Sequence, residues 1–147
     1  MVVSGPSGVG KTTVVTELLK VPGITRSISA TTRPARGQEL HGRDYFFMTP
    51  AQFEEGVRNG DFLEHATING KRYGTPRNAV DTSVAAGRVV LLAIDVQGAA
   101  ALRAMKTPFV GVFLLPPSME ELERRILGRG DTPPEEARRR LALAREE

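Results

Sequence analysis

The sequence has no cysteine, so neither a disulfide framework nor a thiolate metal site is open to it. It has no tryptophan, and aromatic residues fill only 5% of its 147 positions. Stacking platforms for single-stranded nucleic acid are therefore scarce. Uninterrupted apolar runs are short: residues 89–94 form one of the longest, against the ~20 apolar residues a membrane helix needs. No basic leader with an apolar segment precedes the first glycine-rich turn, so a cytoplasmic location with no membrane partner is expected. Lysine is sparse too: Lys11, Lys20, Lys71 and Lys106 are the only lysines among 20 basic residues. The formal charge of +3 and the pI near 9.7 thus rest on arginine. Arginine's planar fork suits bidentate phosphate recognition, and with so few aromatics small phosphates are favoured over nucleic acid. The remaining composition, 40% apolar and 25% charged, is that of one soluble domain long enough to bury a core.

What is present is concentrated at the start. Gly5-Pro6-Ser7-Gly8-Val9-Gly10-Lys11-Thr12, with Thr13 behind it, fits the phosphate-loop pattern without a mismatch. A short apolar run precedes it and reads as a buried strand. Val14/Leu18 and Val15/Leu19 follow at i,i+4 spacing, as on an amphipathic helix. Strand, glycine loop and helix together turn a pattern match into a site for a nucleoside triphosphate. The loop's N–H groups would form an anion nest and the helix N-terminus would add partial positive charge. Lys11 would reach the β- and γ-phosphates, and the Thr12 hydroxyl would hold Mg²⁺. The plain alternative is a glycine-rich turn with a chance lysine.

Further along, residues 24–29 read as a strand, and residues 29–37 as an irregular arginine-bearing segment. Residues 44–48 read as a strand. Thr49-Pro50-Ala51-Gln52 opens a helix that Gly60 stops. Residues 62–68 form a strand ending at an Asn69-Gly70 hairpin turn, and Thr75-Pro76 starts a helix with Thr75 as its N-cap. Residues 89–94 and 109–115 are continuous apolar runs, expected as strands buried on both faces of a parallel sheet. Ser118 to Glu121 reads as a capping box, and a last helix runs to the chain's end. Strand–helix alternation at both ends brackets a β-rich middle: an α/β parallel core with a small insertion, and an arginine-bearing flap near residues 128–140.

Two sites follow from the residues. Asp95 ends a buried strand, where a carboxylate that organises Mg²⁺ belongs beside a phosphate loop; a plain helix-capping Asp is the other reading. The middle segment gathers Ser29, Arg33, Arg36, Tyr45 and Tyr73, the donors suited to a second anion.

With these motifs the chain resembles the guanylate kinases. The phrases GPSGVGKTT, SISATTRPARGQELHGRDYFF, GDFLEHATINGKRYGT, IDVQGA and ERRILGRGDTPPEEARRRLALAREE occur in family order over nearly its whole length. The resemblance implies a P-loop NTPase core (residues 1–32 and 87–127), a β-rich insertion for the nucleoside monophosphate (33–86), a lid (128–140) and a terminal helix to residue 147. It implies transfer of a phosphoryl group from MgATP to GMP. ATP would lie on Gly5, Pro6, Ser7, Gly8, Val9, Gly10, Lys11, Thr12 and Thr13. The GMP phosphate would lie on Ser29, Arg33, Arg36, Tyr45 and Tyr73, and guanine on Glu64 and Thr75, with Asp95 between the nucleotides. Arg125, Arg129 and Arg140 would close over the ATP phosphates; Arg125 could instead simply pair with Glu121. Arg138 and Arg139 are read as solvated helix face.

Three features depart from the family pattern. Ala93 stands where a carboxylate is common two residues before Asp95. The first strand is short. The family continues beyond the position of Glu147 with a further strand, a loop near adenine and a helix. Residues 109–115 would then be an open edge, through which self-association is expected. The alternatives to a GMP kinase are a catalytically weak binding module of the same fold and a kinase for another phosphorylated acceptor.

Overall fold

A computed structural model describes residues 1–128 and 134–147. Two sheets organise them. The first has the order β2-β7-β1-β8, formed by β1 (Val2–Ser4), β2 (Ile24–Arg26), β7 (Val89–Ala93) and β8 (Gly111–Phe113), all parallel. The second has the order β4-β3-β6-β5, formed by β3 (Ala30–Thr31), β4 (Phe46–Phe47), β5 (Phe62–Ile68) and β6 (Lys71–Pro76).

The central strand β7 shows why the first sheet is covered on both sides. Successive side chains of a strand point to opposite faces. Leu91 joins Val3 and Val15 in the cluster beneath α1 (Lys11–Leu18). Its neighbours Val90 and Leu92 join Val2, Val80, Ala99 and Leu102 on the other face, under α3 (Arg77–Ala85) and α4 (Val96–Ala104). Leu91 is fully buried, so cutting it to Ala should cost about 2–5 kcal/mol. The parallel register sets Val3 beside Ala93, so the turn after β1 and the turn after β7 emerge side by side. That crevice outside the carboxyl ends of the strands is where open α/β sheets bind ligands.

The second sheet is held by aromatic packing. Phe53 of α2 (Pro50–Asn59) stacks on Phe62 with ring centroids 4.5 Å apart. Around them lie Ala30, Phe46, Met48 and Val57. α2 starts as its sequence predicts: Thr49 and Gln52 close a reciprocal capping box, with Pro50 at the first position. The hairpin between β5 and β6 turns at Asn69 (φ 49°) and Gly70 (φ 71°). Two left-handed residues in succession match the right-handed twist of the strands they join. Finally, α5 (Met119–Leu127) packs on α6 (Pro134–Glu146) through Leu122, Ile126, Ala137 and Ala144.

Four expectations need correction. Residues 30–31 of the supposedly irregular segment form β3, paired with Gly74 and Tyr73 some forty positions away. Thr75 caps no helix; it lies within β6, and Pro76 is the N-cap of α3. Residues 109–115 yield only the three-residue β8, which pairs with β1 alone and is exposed rather than buried on two faces. Ser118 does accept the Glu121 N–H at 3.2 Å, but the Glu121 carboxylate turns to Arg124 and Arg125, so the box stays half formed.

Candidate active site

The glycine loop runs from β1 into α1. Gly5 (φ 142°) and Gly10 (φ 111°) hold backbone conformations that a side chain rarely tolerates. A Cβ on Gly5 would also stand 2.5 Å from the Leu114 carbonyl oxygen. Gly10 is the N-cap of α1 and supplies no side-chain cap, so no side chain covers the first-turn N–H groups that an anion would use. The Lys11 ammonium folds over the loop and donates to the carbonyls of Gly5 (2.5 Å) and Pro6 (3.0 Å). Thr12 and Thr13 are exposed in the first turn of α1. Val9 is buried, and its carbonyl accepts from Arg125 Nη1 at 3.0 Å. The same Arg125 donates to Glu121 at 2.7 Å. The pairing of Arg125 with Glu121 along its helix is therefore present, and α5 also brings the guanidinium to the loop backbone. Hydrogen bonds from Arg124 and then Arg125 pull the Glu121 carboxyl down to about 2.

Across the crevice, the second sheet gathers the other predicted donors. Arg33 is buried in all but 8% of its surface. Its guanidinium lies over the rings of Tyr45 and Phe47, 5.3 and 5.9 Å from their centroids. Tyr45 and Tyr73 meet edge to face at 6.2 Å, and burial raises the Tyr45 hydroxyl above its ordinary pKa. Glu39 holds this cluster together. Its carboxylate accepts from Arg33 (2.9 Å) and from the Arg36 backbone N–H (2.8 Å). Burial alone would push the Glu39 pKa up, but these partners outweigh burial and hold it below the usual carboxylate range. Ser29 is half-buried just before β3.

Glu64 and Thr75 are cross-strand partners on β5 and β6. Both are buried, and the Thr75 hydroxyl donates to Glu64 Oε1 at 2.5 Å. Burial raises the Glu64 pKa; the Thr75 hydrogen bond opposes the rise and nearby Asp95 reinforces it. Asp95 follows β7 and is the N-cap of α4, its Oδ1 accepting from the Gly98 N–H at 2.9 Å. The capping role foreseen for Asp95 is therefore real, and the residue also stands at the crevice.

One cavity of about 690 Å³ joins the two sides. Gly5, Ser7 and Lys11 line it from the loop, Arg33, Arg36, Tyr45 and Tyr73 from the second sheet and its connecting segment, together with Asp95 and Arg140; Ser29, Glu64, Thr75, Arg125 and the rest of the predicted loop residues are not part of its lining. Arg140 is bonded to Glu136 along α6. Arg139, expected on a solvated face, is exposed yet lines the same cavity. Arg129 lies outside the described residues. The sequence reading missed Glu39, Phe47 and Glu147. An acid inside an arginine-bearing segment was an available signal for Glu39. Glu147 lines the cavity; burial raises its pKa, attraction to Lys11 opposes the rise and Asp95 adds to it. Among the described residues no group of three or more His, Asp or Glu is placed to cage a metal, and no helix is long and apolar enough to cross a membrane.

Comparison with known proteins identifies the family. The family model described as guanylate kinase matches residues 1–147. A guanylate kinase of Prochlorococcus marinus (strain MIT 9313) is 51% identical over 99% of this chain and 78% of its own length. One from Streptomyces kasugaensis is 52% identical over 99% of this chain and 72% of its own. The crystal structure of guanylate kinase from Anaplasma phagocytophilum superposes with a TM-score of 0.74 at 42% identity, covering 84% of this chain. Against that solved structure the chain spans 63% of the length. The α/β class with a parallel P-loop core, read from the sequence, matches these relatives, and the chain belongs to the guanylate kinase family.

Proposed function

We propose that the chain transfers the γ-phosphoryl group of ATP to GMP, yielding ADP and GDP. The observation that carries the reading is the single cavity in which the Lys11 loop faces Arg33, Arg36, Tyr45 and Tyr73 across Asp95. An oxygen of the GMP phosphate attacks the γ-phosphorus, the bond to the β,γ-bridging oxygen breaks, and ADP leaves. No side chain need become a nucleophile. The protein's task is to align two polyanions and neutralise their charge while water is excluded.

In this reading the glycine loop cradles the ATP phosphates, and Lys11 trades its two loop carbonyls for phosphate oxygens. Arg125, already on the loop, and Arg140, from α6, add positive charge on the donor side. Arg33 and Arg36 take the acceptor phosphate with Ser29, Tyr45 and Tyr73, and Glu39 is the carboxylate that phosphate displaces from Arg33. Glu64 with Thr75 reads the base, because a carboxylate matches the N1–H and N2–H₂ donors of guanine. Adenine lacks that pair.

The donor set fits Mg²⁺ arriving with ATP. The exposed Thr12 hydroxyl and Asp95 offer oxygen ligands, and Mg²⁺ is commonly held by one or two protein oxygens, waters and substrate phosphates rather than by a protein cage. When bound, the ion offsets the charge of the β- and γ-phosphates. The exposed β8 edge also supports the expected self-association, with Val110, Val112, Phe113 and Leu115 turned to solvent.

A coupled assay on the 147-residue chain with MgATP and GMP, AMP, UMP or CMP tests the reading. GMP should be the preferred acceptor by a wide margin. Equal use of a second monophosphate, or GMP binding without ADP formation, would overturn it in favour of another acceptor or of a binding module.

A further inference from the structure

A glycine within the first turn of a helix calls for a reason, since it costs roughly 1 kcal/mol against alanine. Gly98 of α4 is such a residue, and its backbone conformation does not supply the reason, for its φ is not positive. Its surroundings do. A Cβ built on Gly98 would lie 2.7 Å from Glu64 Oε2 and 3.2 Å from Glu64 Cδ. Real Cβ atoms do not approach so closely, so with any side chain at position 98 the Glu64 carboxylate must move. It has little room to do so: Glu64 is 6% exposed, and its other oxygen is held by Thr75 at 2.5 Å. The Gly98 N–H meanwhile donates to Asp95 Oδ1 at 2.9 Å. One residue therefore meets two of the acceptor-side carboxylates, one through its N–H and one through its missing side chain.

We propose that Gly98 is a positioning residue for guanine specificity, its lack of a side chain fixing the place of the Glu64 carboxylate against the first turn of α4. This rests on the reading of Glu64 as the group that recognises the base. Gly98 touches no reacting atom and acts chiefly through Glu64; Ile94 Cβ, 3.3 Å from the same built Cβ, is the milder second contact. Thr75 pins one carboxylate oxygen from β6, α4 leaves space for the other at Gly98, and the acceptor face between them is presented to N1–H and N2–H₂. Alanine at 98 improves the helix intrinsically while displacing the carboxylate, so stability and specificity should part company.

The test is a double-mutant cycle in the full chain, with thermal melting, KM for GMP and for ATP, and the GMP/AMP ratio of kcat/KM as readouts. Gly98→Ala should raise KM for GMP roughly tenfold or more, the scale of a lost hydrogen bond to a charged group, and should lower the GMP/AMP ratio to match. KM for ATP and the melting temperature should stay near the parent values. In a Glu64→Ala background, Gly98→Ala should have no further effect on KM for GMP or on the GMP/AMP ratio. If Gly98→Ala does not fold, the Glu64→Ala/Gly98→Ala chain decides: folding as well as Glu64→Ala supports the clash, and failing to fold overturns the proposal. Parent-like GMP kinetics in Gly98→Ala, or additive losses in the double variant, would also overturn it. Loss of the ratio in Glu64→Ala but not in Gly98→Ala refutes Gly98 alone. An unchanged ratio in Glu64→Ala refutes the base reading itself.

Discussion

The two sides of the cavity are built on different plans. The donor side is mainly backbone: nine contiguous residues, three left-handed glycines and an uncapped helix N-terminus present N–H groups, with Lys11 as the loop's own charged side chain and Arg125 and Arg140 brought in from α5 and α6. The acceptor side is made of side chains drawn from β5, β6, the segments flanking β3 and β4 and the turn after β7, spread from Ser29 to Asp95. Backbone N–H groups recognise phosphate of any nucleotide and carry no information about the base. Side chains with defined donors and acceptors do carry it. In this account, generic affinity lies with the loop and choice of substrate lies with the second sheet.

The largest effect should separate choice from affinity. Glu64→Ala should reduce the preference for GMP over AMP by up to about 10⁴-fold, because a buried acceptor built for a substrate N–H goes unpaired with the wrong base. KM for ATP should barely move; a matching change in both nucleotides, read from initial rates, would erase the division between the sides. Next, Lys11→Ala should lower kcat by roughly 10²–10³-fold, the scale of removing one preorganised donor from a charge-developing site. Its circular dichroism should be unaltered, since Lys11 contacts loop carbonyls rather than core. Near-normal turnover in a folded variant would leave the loop without its assigned role.

Arg33→Ala and Arg36→Ala should raise KM for GMP about 10–100-fold, as expected for charge-assisted hydrogen bonds. KM for ATP should change far less, and equal effects on both would mean that the acceptor phosphate sits elsewhere. A smaller effect concerns pH. Burial chiefly, with Asp95 adding, raises the Glu64 pKa above its ordinary 4.5. Glu64 therefore takes up its proton at a higher pH than an ordinary carboxylate, and KM for GMP should climb as pH falls into that window. Stability has the opposite sign: a raised carboxylate pKa favours the folded state at acid pH, and that contribution fades as pH rises through the folded value. Asp95→Asn should move the climb in KM to lower pH. Smallest of all, Phe113→Lys on the exposed β8 edge should lower the apparent mass seen by light scattering at high concentration, with little change in kinetics.

These differences also account for what the sequence disclosed. The donor loop was legible because its chemistry is local: glycine spacing, a preceding strand and a following helix are all written within about twenty residues. Nonlocal pairing was not legible. Residues 30–31 look irregular alone and become β3 because Gly74 and Tyr73 lie along one side and Phe46 and Phe47 along the other. Thr75-Pro76 has the look of a helix start, yet the Thr75 hydroxyl is claimed by Glu64 across the hairpin. The apolar run at 109–115 reads as a buried strand on composition, but only Gly111–Phe113 pair, and on one side. The counter-charge at Glu39 is different: its partners Arg33 and Arg36 lie within six residues, so its signal was local and went unread.

If the two sides meet in one cavity, a single molecule can occupy both. Adenosine joined to guanosine through a chain of five phosphates, titrated into the chain with Mg²⁺ by calorimetry, tests this directly. One molecule should bind per chain, far more tightly than ATP or GMP alone, with both nucleotides competing against it. A bisubstrate molecule that displaces only one of the two nucleotides, or binds no better than ATP, would contradict a shared cavity.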